Sequence, residues 1–234
     1  MAEDYAAWIG RSIEAGDLVT EAPLRRLAAT LDHDGSQWPD AVLPLLGHWL
    51  FGLPDALQSN LGQDGHPVRG DFLPPIDHPR RMWAGGRVTF LAPVAIGAEF
   101  RRRTTIRAIE AKKGGAMTVV TLGHEIFAND VLAIDEEQDL VFLPITAPAA
   151  ARLIDRPEPE TSRSLTADPT LLFRFSALTF NAHRIHYDRD YARTVELYPE
   201  VVVHGPLQAM LLIDHAQRDG IIPTRFDYRA RAPL

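Results

Sequence analysis

Apolar residues recur at helical spacing early in the chain and at alternate positions later. That switch of period organises the first half. In the segment DLVTEAPLRRLAATLDHDG, Leu24, Leu27, Ala28 and Leu31 fall on one helical face, and Asp32 to Gly35 stop the helix. The next segment, LPLLGHWLFGLPDAL, is apolar almost all round, which predicts a short buried helix bracketed by Pro44 and Pro54. Then GQDGHPVRGDFLPPIDHPRR is rich in Gly, Pro and Asp. It predicts a long loop, of a kind that often carries function. From Met82 the runs RVTFLAPV, AEFRRRTTIRAIEA, AMTVVTLGHEIFAN and DLVFLP are β-branched and aromatic, several of them alternating, and they read as four antiparallel strands. AKKGGA and DEEQ read as the turns between them, and the glycine pair in AGGRVTF also reads as a turn. A helix followed by meandering strands is an α+β unit whose sheet can wrap the apolar helix.

The second half repeats part of this plan. Residues 148–164 are dominated by proline, alanine and charge and keep no period, as a linker does. LLFRFSALTF alternates like a strand. GPLQAMLLIDHAQRDG is a second apolar helix, with Pro206 suited to its first turn and Gly220 to its C-cap. RFDYRARAPL is one further strand. The expected organisation is therefore a unit over 1–147, a linker over 148–164 and a second unit over 165–234. The second unit is expected to be shortened at its C-terminus, with cover for its helix coming from another subunit otherwise.

Composition narrows the function. Twenty-four basic against thirty-one acidic residues give a net charge of −7, which argues against general nucleic-acid or anionic-membrane binding. With no cysteine, thiol catalysis, disulfides and thiolate metal sites are excluded. MAEDYAAWIG lacks the basic-then-apolar layout of a secretory signal, and no uncharged apolar run approaches the roughly 20 residues of a membrane span. The expectation is a cytoplasmic protein.

Three of the nine histidines fall in FNAHRIHYDRDYA and the nearby VVVHGPLQAMLL. The first stretch brings Asn181, His183 and His186 into one loop, and Asp188 is a candidate N-cap for the helix that follows. Imidazole is a natural base near neutral pH, and an amide can hold water or a carbonyl. His204-Gly205-Pro206 opens the second apolar helix. Pro206 has no N–H, so Gly205 supplies the free donor nearest the turn, at the positive end of the helix dipole. A base, a water-holding amide and an oxyanion donor suit a reaction that builds charge on a carbonyl oxygen. A metal on His183, His186 and Asp188 is disfavoured, because helical zinc pairs sit four apart and these histidines sit three apart in a loop.

These two stretches resemble the MaoC-like hot-dog-fold hydratases and dehydratases. WIGR, AATLD and GHPVRGDFLPPIDHPRRMWAGGRVTF are similar to the branch that contains mesaconyl-CoA hydratases and hydroxyacyl-thioester dehydratases. The resemblance implies a double hot-dog: two antiparallel sheets, each wrapped round a helix, with an acyl-CoA or acyl-carrier thioester between them. It places His186 on the family's catalytic histidine, Asn181 on its catalytic aspartate and His183 on its asparagine. Gly205 becomes the amide that polarises the thioester carbonyl. Asn181 is a departure, since an amide cannot shuttle a proton as a carboxylate does. Three readings follow: His186 works alone, His183 shares the work, or the enzyme is impaired; the favoured one is the first, with Asn181 positioning water and His183 orienting His186 or the thioester. Arg80, Arg81, Trp83 and His204 are the candidate substrate-binding residues, and no cofactor or metal is expected. The implied reaction is addition of water to an enoyl thioester, for example one like mesaconyl-CoA, or loss of water from a 3-hydroxyacyl thioester. A thioesterase and a non-catalytic thioester-binding subunit are the alternatives, and a homodimer or larger assembly is the expected state.

Overall fold

The computed structural model describes residues 5–33, 35, 38, 40–148, 158 and 160–234. Most of the predicted linker, 149–157 and 159, lies outside the described residues. The fold is α+β, built on one six-stranded antiparallel sheet in the order β1-β3-β4-β5-β2-β6. The strands are β1 (Ser12–Leu18), β2 (Arg80–Phe90), β3 (Glu99–Lys112), β4 (Met117–Ala128), β5 (Val131–Leu143) and β6 (Arg225–Arg229). The helices are α1 (Glu21–Thr30), α2 (Pro169–Leu178), α3 (Arg189–Thr194) and α4 (Gly205–Arg218).

The even-numbered residues of β4 and β5 face the interior, as a period of two requires. At one end of that face, Ile126 and Ile134 join Leu24 and Leu27 of α1, Leu172 and Phe175 of α2, and Leu207 and Ile213 of α4 in one core. At the other end Val120, Leu122, Leu140 and Phe142 form a second cluster with Ile76. Between them lies a buried polar band. Glu136 accepts from His48 at 2.9 Å and from Trp49 Nε1 at 3.0 Å, and His124 pairs with Thr104 at 2.9 Å. Buried polar groups need such partners, so the band explains why acidic residues sit inside a strand.

That band corrects one expectation. DEEQ is not a turn: Asp135 to Gln138 lie within β5, and the reversal is at Asn129–Asp130, both at positive φ, between the paired Ala128 and Val131. The glycine pair Gly85–Gly86 is likewise mid-strand in β2. A Cβ on Gly85 would lie 2.4 Å from the Tyr228 carbonyl oxygen of β6, and one on Gly86 would lie 2.3 Å from the Tyr228 hydroxyl. AKKGGA does turn, between β3 and β4.

Two further expectations are corrected. LPLLGHWLFGLPDAL is buried, with Leu43, Leu46, Leu50 and Phe51 in the core, but it forms only a single 3-10 turn over Gly47–Leu50. Two prolines and two glycines in so short a run leave no stretch able to keep an α-helical ladder. LLFRFSALTF is helix α2 rather than a strand. Asp168 caps it by accepting the Leu171 amide at 2.8 Å, Pro169 occupies its first turn, and its buried residues Leu171, Leu172, Phe175 and Ser176 follow helical spacing. The predicted α4 is present. It ends with Gly220 at φ +76, where Gly220 N bonds Gln217 O and Ile221 N bonds Ala216 O. The C-terminal strand β6 joins the edge of the same sheet, beside β2, and no second sheet forms among the described residues.

Candidate active site

The loop after α2 is shaped by local hydrogen bonds. Phe180, at φ +50, turns the chain, and the Asn181 amide returns to Ser176 O at 2.8 Å. Asn181 Oδ1 then accepts the His183 amide at 3.0 Å. A 3-10 turn spans Arg184–His186, and Asp188 caps α3 through the Tyr191 amide at 3.0 Å, as the sequence predicted. Asp188 also pairs with Arg184 at 2.7 Å, so it stands apart from any histidine cluster.

His186 is held in one orientation. Its Nδ1 lies 2.7 Å from the Val202 carbonyl, which can only accept, so Nδ1 carries the hydrogen and Nε2 keeps its lone pair. No described residue donates to that Nε2. Burial, with the neighbouring His183 adding to it and the Val202 carbonyl opposing, lowers the His186 pKa to about 3, so the ring is neutral at pH 7. The His204 ring stacks on His186, with centroids 3.7 Å apart, and its Nε2 meets Ser176 Oγ at 2.8 Å. His204 is 0% exposed, which corrects its assignment as a substrate-binding residue: it braces His186 from behind.

Gly205, next to His204, opens α4, and its N–H has no acceptor among the described residues. A Cβ there would lie 2.4 Å from the Trp83 ring, so only glycine lets the indole pack this close. Trp83 also meets Trp49 and Tyr228, at centroid distances of 5.4 and 4.7 Å, which makes it a wall of the helix start.

Arg80 is also corrected. One guanidinium nitrogen donates to Thr146 O at 2.8 Å, another donates to the Glu196 carbonyl, and Nε lies 3.5 Å from the Glu196 carboxylate. It is buried and tied to the loop after α3, with no face left for a substrate. Arg81 is different. Its guanidinium hydrogen bonds to no described residue, and it lines a cavity of about 320 Å³. Burial lowers its pKa to about 10, against the pull of Asp64.

That cavity contains residues the local motif did not identify: Asp64, His66, Tyr191 and Glu196. Asp64 and His66 arrive because the long loop of the first half docks on the histidine loop, whereas Tyr191 and Glu196 come from α3 and the segment after it. Arg184 N donates to Asp64 O at 2.9 Å, and a Cβ on Gly65 (φ +89) would lie 1.8 Å from Ala182 O. His66 Nδ1 lies 3.1 Å from Asp64 Oδ2, and its ring centroid is 4.2 Å from that of His183. His183 contacts His186 edge to face at 5.3 Å and reaches Glu196 at 3.3 Å. Asp64, His66 and His183 offer ligand atoms within 4.8 Å of one another. Holding a cation there would break the Asp64–His66 bond with the Arg81 charge close by, so the trio reads as a hydrogen-bonded cluster rather than a metal centre. For Asp64 and His66 the only sequence signal was the composition of their long loop.

Known proteins share this architecture. The sequence model of a family described as hydroxyacyl-thioester dehydratase type 2 matches residues 46–234. The chain is 47% identical over 239 residues to a protein of Chloroflexus aurantiacus named mesaconyl-C(4)-CoA hydratase, covering 99% of this chain and 85% of that one. It is 28% identical over 257 residues to the mitochondrial hydroxyacyl-thioester dehydratase type 2 of Schizosaccharomyces pombe, covering 93% and 84%. Among solved structures, a MaoC-like dehydratase superposes with a TM-score of 0.70 at 14% identity, covering 97% of this chain and 83% of that one. A MaoC-like dehydratase from Phytophthora capsici superposes with a TM-score of 0.69 at 13% identity, covering 96% and 81%.

Proposed function

The chain belongs to the hydroxyacyl-thioester dehydratase type 2 family, and from that premise we propose that it is a hydro-lyase, adding water to an α,β-unsaturated acyl-CoA thioester or removing it from the 3-hydroxyacyl thioester. A branched dicarboxylyl thioester of the mesaconyl-CoA kind is the substrate class the reading favours, because the relative at 47% identity carries that name.

The observation that supports the site assignment is the pairing of His186 with the start of α4. His186 keeps a neutral, fixed ring with Nε2 unpartnered, and it stacks on the residue immediately before the unpaired Gly205 amide. In this reading His186 receives the attacking water at Nε2, and Asn181 helps define the loop that aims it. The Gly205 amide and the helix dipole receive the charge that develops on the thioester oxygen. Self-association through the open sheet edges β1 and β6 is part of the reading.

The test is a panel of enoyl-CoA and 3-hydroxyacyl-CoA thioesters, followed by loss of enoyl absorbance and by mass spectrometry for gain or loss of water. Turnover is expected with the wild-type chain, and His186→Ala is expected to lower it by roughly 100-fold or more. Release of free thiol in place of hydration would make the chain a thioesterase. Binding without turnover across the panel would make it a carrier subunit. Either outcome overturns the hydro-lyase reading.

A further inference from the structure

Hydration leaves one role open. Some group must take a proton from water and return one to the α-carbon, and an imidazole that does so passes through a cationic state in between. His186 is poorly equipped for that cation. Its Nδ1 partner is a carbonyl rather than a carboxylate, and His183 stands beside it. At position 181 the resemblance calls for a carboxylate, but the chain has an amide whose oxygen already holds the His183 N–H.

A carboxylate reaches the histidine loop from the other half of the chain, beside His183. Gly65 brings the 62–66 loop onto the Ala182 carbonyl so closely that no side chain fits between them, and Arg184 ties the two loops with bonds to Asp64 O and Gln63 O at 2.9 and 3.1 Å. Asp64 is fixed there by both oxygens: Oδ1 accepts the His66 amide at 3.0 Å, and Oδ2 faces His66 Nδ1 at 3.1 Å. With Nδ1–H committed to an ionised carboxylate, His66 carries its lone pair on Nε2, which has no partner among the described residues. Asp64 and His66 both line the cavity, with Arg81, Tyr191 and Glu196 around them.

Building on the hydro-lyase reading, we propose that His66 is the catalytic residue that carries the proton, that Asp64 is the positioning residue behind it, and that His186 holds the water. In the hydration direction the water oxygen bonds to C3 while one of its protons passes to His66 Nε2. The C2=C3 electron pair moves onto the thioester oxygen. As the carbonyl re-forms, C2 takes the proton back from Nε2. The hydroxyl ends on C3 and the hydrogen on C2, and His66 returns to its starting state. Asp64 stabilises the imidazolium in transit, as a carboxylate does behind a histidine base. Burial and the Arg81 charge hold His66 neutral at rest, against Asp64, so its lone pair is available. An anionic group of the substrate seated on Arg81 would offset that repulsion and raise the basicity of His66 when substrate is in place.

The experiment compares hydration of an enoyl-CoA thioester by the full chain and by His66→Gln, Asp64→Asn, Asp64→Glu and His186→Gln. Asn keeps an oxygen for the His66 amide, so Asp64→Asn removes the charge while preserving the loop. His66→Gln is expected to lower kcat by roughly 100-fold with little change in KM. Asp64→Asn should also act on kcat rather than KM, and Asp64→Glu should recover part of the loss, which a purely structural role would not produce. If His66→Gln keeps more than about a third of wild-type kcat while His186→Gln abolishes turnover, this assignment falls and the hydro-lyase reading stands. If Asp64→Asn acts only through lost stability and Glu does not rescue it, the assignment also falls. Absence of wild-type hydration overturns both.

Discussion

Replacing Gly65 with alanine tests the junction on which the site depends. At φ +89 an L-residue is strained by about 1–2 kcal/mol. The new Cβ would also lie 1.8 Å from the Ala182 oxygen, where real Cβ contacts stay above 3.0 Å. The loops must therefore separate by about 1 Å, a displacement that can cost on the order of 100-fold in rate. Separation also weakens the Arg184 bonds to Asp64 O and Gln63 O, at about 1 kcal/mol each. Together these amount to about 3–4 kcal/mol, or a fall in melting temperature on the order of 10 °C for a chain of this size. Gly97→Ala is the matched control. Its φ is +88, and nothing lies within 4 Å of its added Cβ. It should lose only the backbone strain, about 5 °C, and keep its activity. Thermal melting by circular dichroism and the enoyl-CoA hydration rate read both effects. If Gly65→Ala melts no lower than Gly97→Ala and hydrates at the wild-type rate, the docking of the two loops does not hold the site.

Two further outcomes follow from other parts of the structure. Burial holds His66 and His186 near 3, His204 near 2 and His124 near 4, all below the ordinary 6.5, so each takes up a proton only on unfolding as the pH falls. Stability should therefore be flat above about pH 7 and fall by about 1.4 kcal/mol per pH unit for each imidazole between about pH 6 and 4. Urea midpoints against pH measure this, and a flat curve down to pH 5 would refute it. Asp188→Ala removes the α3 cap and the Arg184 pair, for about 1 kcal/mol and a few degrees of melting temperature, whereas Asp188→Asn should retain most of the cap.

Legibility in the sequence followed the range of the forces involved. β3, β4 and α4 were readable because their periods run for a dozen residues or so with clear turn or cap signals at their ends. The start of β5 was obscured because Glu136 reads as a turn residue until His48 and Trp49, far back in the chain, supply its partners. α2 was obscured because ten apolar-rich residues fit either period, and the Asp168–Pro169 cap signal decides between them. Asn181, His183 and His186 were visible as a local cluster. Arg80 and His204 looked equally available, and only packing shows that both are used up inside the protein.

By itself the sequence determined the chain's class, its long strands, its last helix and the histidine loop, because local periodicity and capping act over a few residues. Tertiary structure alone decided that the described strands form one sheet, which of the candidate side chains are spent on internal bonds, and that Asp64 and His66 stand beside His183. The last of these depends on contacts between segments more than a hundred residues apart, and a glycine lacking a Cβ is what lets two such segments touch.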